Sequence, residues 1–129
     1  MKKLILIILT MLLLTACGQN KAKKQEAVYV NITAEEAKKI MDSQEGYLIL
    51  DTRTQAEFNE GHIPGAILIP HDTITEKAET MLTDKNQLIL VYCRSGRRSK
   101  LASEDLVKLG YTNIKEFGGI IDWPYEITK

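Results

Sequence analysis

Cys93 stands in the segment Tyr92-Cys93-Arg94-Ser95-Gly96-Arg97-Arg98-Ser99, between a continuous apolar run, Leu88 to Tyr92, and a helical stretch that begins near Ser99. The segment reads as a strand-to-helix turn. A cysteine at the first position after a buried strand faces the head of the next helix, where unpaired N–H groups and the helix dipole favour negative charge. Thiolate is the form that attacks. Arg94, Arg97 and Arg98 add positive potential, and Gly96 lets the backbone turn so that successive N–H groups point inward as an anion-binding nest. An inert cysteine sits in apolar surroundings, unlike this one.

The 129 residues, 44% hydrophobic and 26% charged, are enough for one self-sufficient domain. Seventeen basic and seventeen acidic side chains cancel, and the only dense basic cluster lies in the turn itself. That balance argues against a nucleic-acid partner and for a small anion. His62 and His71 are far apart in sequence, and with the cysteines they give no metal-ligand spacing.

The chain opens differently. Lys2 and Lys3 precede an apolar run from Leu4 to Leu14, and Thr15 and Ala16 lead to Cys17. Residues 1–16 read as an export signal, because the run falls short of the roughly 20 residues a membrane span needs. An uncleaved membrane anchor is the alternative. Leu14-Thr15-Ala16-Cys17 resembles the lipobox of bacterial lipoprotein precursors, which implies cleavage before Cys17, lipid on its sulfur and an extracytoplasmic, membrane-anchored protein. Residues 17–27, with Lys21, Lys23 and Lys24 among Gln and Asn, read as a tether that is either simply solvated or laid against anionic headgroups. Lipidation of Cys17 would leave Cys93 as the one free thiol of an exported protein, which points to chemical use.

From residue 28 onward strands and helices alternate, the pattern of a parallel sheet covered on both faces. Strands are expected at Val28–Ile32, Tyr47–Leu50, Ala66–Ile69, Leu88–Tyr92 and Ile114–Phe117. Capping boxes at Thr33–Glu36, Thr54–Glu57 and Thr73–Glu76 predict three helix starts, with Gly46 and Gly61 ending the first two helices and the third running through Leu82. The helix after the reactive turn carries Leu101, Ala102, Leu106 and Leu109 on one side and stops at Gly110. In such sheets ligands bind beyond the carboxyl ends of the strands, where Asp51 and Cys93 both stand.

Three separated motifs then resemble the single-domain rhodaneses, a family of sulfurtransferases, over about residues 30 to 124. They are Asp51-Thr52-Arg53 with Glu57-Phe58, Gly61-His62-Ile63-Pro64-Gly65-Ala66 and Ile69-Pro70; the loop Cys93 to Arg98; and Gly118-Gly119-Ile120 with Trp123. The resemblance implies a doubly wound α/β fold with a five-stranded parallel sheet in residues 28–129. It implies that Cys93 takes the outer sulfur of thiosulfate or a persulfide and passes it to a thiol or cyanide, without a cofactor. Arg97 and Arg98 are then candidates for the sulfonate, and Arg94 has no firm assignment. Ser95 and Gly96 complete the anion-binding loop, and Asp51 and Arg53 brace it or merely fix the local turn. His62 matches a structural turn of the family, and His71 matches nothing.

Two other readings share the loop. Cysteine-dependent phosphatases and arsenate reductases place a thiolate in an arginine-bearing loop, but their signature needs arginine where Ser99 stands, and the related phosphatases have a loop one residue longer. A persulfide carrier or thiol-state sensor for a membrane partner would keep Cys93 and turn over slowly.

Overall fold

The computed structural model describes residues 28–129, and the expected signal, Cys17 and the tether lie outside the described residues. Five parallel strands form one sheet in the order β1-β5-β4-β2-β3, with β1 at Val30–Asn31, β2 at Leu48–Asp51, β3 at Ile67–Leu68, β4 at Ile89–Cys93 and β5 at Ile114–Gly119. The helices are α1 (Ala34–Ser43), α2 (Gln55–Glu60), α3 (Ile74–Met81) and α4 (Arg97–Lys108). From β2 the chain adds β3 at one edge and then returns to add β4 on the other side, while β1 closes the opposite edge beside β5.

Alternating residues of each central strand face opposite layers, which is why the strands read as unbroken apolar runs. Leu50, Ile89, Val91 and Ile114 pack against Ile74, Ala78 and Leu82 of the α3 segment and against Ala102 and Leu106 of α4. On the other face Ile49, Leu90, Tyr92 and Phe117 meet Ala37 of α1, Ile63 and Trp123. β4, central in the sheet, is buried along its whole length. Its carboxyl end is therefore a rigid place to hold a reactive atom.

Two of the expected capping boxes form, with reciprocal bonds between Thr33 and Glu36 and between Thr54 and Glu57. The third does not. A 3-10 turn, His71–Thr73, runs straight into α3, and the Thr73 hydroxyl donates backward to the Pro70 carbonyl at 2.9 Å instead of accepting from the helix. Two further expectations are corrected. Leu101 is 40% exposed, and serines take the inner positions of α4: Ser99 and Ser103 are buried beside Ala102 and Leu106. The strand also extends one residue further than expected, so Cys93 closes β4 opposite Gly119, and α4 begins at Arg97 with Gly96 as its cap. The edge strands β1 and β3 are shorter than their apolar runs, since only the central strands have partners on both sides.

Candidate active site

Cys93 lies at the floor of a turn built by Arg94, Ser95 and Gly96. Gly96 adopts φ +109°, a left-handed conformation that costs a side-chain-bearing residue strain, and its N–H donates to the Cys93 sulfur at 3.0 Å. The Ser99 hydroxyl, from the first turn of α4, is 3.3 Å from the same sulfur. Burial alone would push the Cys93 thiol up. Hydrogen bonds from the Ser99 side chain and from the N–H groups of Ser99, Gly96 and Ser95 outweigh it and hold the thiol below its ordinary value of 9.0. Cys93 is only 1% exposed, so only a narrow group can reach its sulfur.

The loop is roofed by the end of β5. Ile121 N–H donates to the Arg94 carbonyl at 3.2 Å. At Gly119 the backbone is ordinary, but a Cβ would stand 1.9 Å from the Arg94 oxygen and 2.6 Å from Ser95 Cα, so only glycine fits.

The residue before the nucleophile ties the loop to the first half of the chain. Tyr92 donates its hydroxyl hydrogen to Asp51 Oδ2 at 2.7 Å and accepts from Ile63 N–H at 3.1 Å, while its carbonyl receives both the N–H and the hydroxyl of Thr52. Burial, followed by the Asp51 carboxylate, drives the Tyr92 phenol far above its usual range. Asp51 and Arg53 form a buried ion pair at 2.7 Å, and Arg53 also donates to the Gly61 carbonyl at 2.7 Å. Burial would lower the Arg53 guanidinium, yet the carboxylate holds it above its ordinary value. Both side chains thus bond around Tyr92, and among the described residues no hydrogen bond or ion pair joins them to residues 94–98.

The three arginines separate. Arg98 makes a forked contact with Glu57 at 2.6 and 2.8 Å, clamping α4 to α2, and this bond brings the Glu57 carboxyl down to about 2. Arg94 and Arg97 are exposed, and Arg94 helps line a cavity with Arg53, Glu57, Glu60, Ile120 and Ile121. His62 is occupied structurally: its ring stacks on Phe58 at 3.7 Å and its backbone pairs with Thr128. His71 donates its N–H to the Thr52 carbonyl.

Sequence reasoning passed over Ser99 as a partner of the sulfur, the Tyr92 hydroxyl and Glu116. Glu116 is 2% exposed, and its Oε1 accepts from Ser99 Oγ at 2.7 Å and from Gly118 N–H at 2.8 Å. A glutamate at an inward position of a central strand was the available signal.

The rhodanese-like domain model matches residues 33–124. The chain belongs to the rhodanese family. Among relatives of this rhodanese, the thiosulfate sulfurtransferase PspE of Escherichia coli is 38% identical over 73 residues, covering 57% of this chain and 70% of that protein. A sulfurtransferase of Allochromatium vinosum is 34% identical over 93 residues, covering 71% of this chain and 85% of that one. A solved structure of an E. coli rhodanese with anions superposes with a TM-score of 0.61 at 35% identity, over 64% of this chain and 98% of that chain.

Proposed function

We propose that this rhodanese is a thiosulfate sulfurtransferase that carries sulfur as a persulfide on Cys93. The Cys93 thiolate attacks the outer sulfur of thiosulfate, the sulfur–sulfur bond breaks, and sulfite leaves with the bonding electrons. The new Sγ–S bond leaves the negative charge on the terminal sulfur, near the N–H groups of the loop. A thiol or cyanide then attacks that sulfur and releases Cys93 as thiolate, so the cycle is two half-reactions with ping-pong kinetics. Inward N–H groups favour the anionic forms throughout, as an oxyanion hole does. Arg94 and Arg97 supply positive charge at the rim for the sulfonate. Arg98, clamped by Glu57, holds the loop.

The observation that carries this reading is the sulfur of Cys93 at the head of α4, receiving the Gly96 N–H at 3.0 Å. The test is thiosulfate loading of the full chain followed by mass analysis of the peptide containing residue 93. Wild type should gain one sulfur there and lose it to cyanide, and Cys93→Ser should gain none. Equal behaviour of the two would overturn the assignment.

We further propose that Cys17 carries the lipid its sequence context implies, so that the domain works on the outer side of a bacterial membrane. The support is the lipobox-like Leu14-Thr15-Ala16-Cys17 following a short apolar run.

A further inference from the structure

Beside the nucleophile lies a buried carboxylate that sulfur transfer, as described, does not use. Glu116 projects from β5 beneath the loop and is bonded to two neutral donors, Ser99 Oγ and Gly118 N–H. Among the described residues no lysine or arginine forms an ion pair with it. An ionised carboxyl buried without a cation is costly, so its two hydrogen-bond donors carry the burden of satisfying it.

Ser99 joins this carboxyl to the thiol. Its single hydroxyl hydrogen has four acceptors in reach: Glu116 Oε1 at 2.7 Å, the Gly96 carbonyl at 2.9 Å, Cys93 Sγ at 3.3 Å and the Gly118 carbonyl at 3.4 Å. The hydrogen can serve only one of them well at a time. Ser99 Oγ is itself buried and can accept a proton from the thiol.

From this geometry we infer that Cys93, Ser99 and Glu116 form a proton relay in which Glu116 is the positioning residue for the thiol's proton. In one arrangement Cys93 S–H donates to Ser99 Oγ, and Ser99 donates to the Glu116 carboxylate. In the other the S–H bond has broken, Ser99 Oγ has taken that proton and passed its own to Glu116, and the new Ser99 hydrogen points at the thiolate. One proton and one negative charge are conserved across the three groups in both arrangements. Cys93 becomes nucleophilic without releasing a proton to solvent. The relay rests on Cys93 being the sulfur nucleophile.

Other titratable groups face this trio. Tyr29, in the segment leading into β1, feels both Glu116 and Glu104 of α4, and burial with these two carboxylates raises its phenol. Arg98 of α4 faces Cys93, and Asp51 of β2 acts on Arg98 in turn. Sγ and Oε1 are no more than about 6 Å apart, close enough for the proton losses of the pair to be coupled.

The consequence is a plateau. Between the two losses the thiolate fraction is set by the relay and not by solvent pH. The experiment follows iodoacetamide alkylation of the full chain against pH, read by mass at the peptide containing residue 93, so that residue 17 does not contribute. Wild type should show two rises with a flat interval between them, and Glu116→Gln a single rise with the flat interval lost. A wild-type profile with one rise, or one unchanged in Glu116→Gln, overturns the relay. A second measurement needs no variant: in the flat interval, alkylating wild type should bleach a protonated-carboxyl C=O stretch in the infrared difference spectrum, and its absence also overturns the relay. Neither readout uses a sulfane donor, so failure of sulfur loading would count against the proposed function and leave this result standing.

Discussion

Arg98 shows how a loop residue can be read correctly as cationic and still be placed differently from expectation. Its guanidinium is spent on Glu57, so its charge supports the loop from behind while Arg94 and Arg97 face solvent. The Glu57 carboxyl sits at about 2 in the fold against 4.5 ordinarily, so the pair's stabilisation is fully present above pH 4.5 and fades as pH falls through about 2. Urea unfolding should therefore find Glu57→Gln less stable than wild type by about 1 kcal/mol at pH 7, with the difference largely gone at pH 2. An undiminished difference at pH 2 would show that the cost comes from packing. Cys93 was legible because its type, neighbours and loop composition are local. Glu116 and the Tyr92 hydroxyl were not, since their partners lie 17 and 41 residues away in sequence and meet only through the packing of α4 on β5 and the pairing of β4 with β2.

Among the elements, the roof of the loop is the most demanding contact. The carboxyl end of β5 passes so near Arg94 and Ser95 that a single methyl at Gly119 meets main chain, which cannot rotate aside. Gly119→Ala should lose thiosulfate loading at residue 93 and destabilise the domain by about 1–3 kcal/mol in denaturant titration. Loading retained at the wild-type level would mean that the loop moves freely. Gly118-Gly119 was visible in the sequence as a bend, but its purpose required the crossing of two segments. The capping boxes divide in the same way. Thr33 and Thr54 obey the local rule because each follows a strand in extended backbone, which leaves its hydroxyl free to accept from the helix. Thr73 departs because Pro70 offers it a carbonyl, and the 3-10 turn already satisfies the helix entry.

At the scale of the molecule, five parallel strands bring Asp51 and Cys93 to the same end of the sheet, as expected from strands that alternate with helices. The order of those strands was not legible, since periodicity cannot say which strands are neighbours. Residues 28 and 29 enter at β1, an edge strand two residues long. A lipid at Cys17 would thus hold the domain by its margin and leave the central strand ends clear. Growth of a bacterium with labelled fatty acid should put label and protein in the membrane fraction, and Cys17→Ser should lose both. Unlabelled, fully extractable wild type would rule the anchor out.

The sulfur is held by main-chain amides from positions 95, 96 and 99, whereas the side chains of Arg94, Ser95 and Arg97 point to the exterior. In the proposed function, reactivity and recognition therefore fall to different parts of the segment 93–99. Exchanging those outward groups should alter which donors load Cys93 while the amides beneath keep their grip on the sulfur.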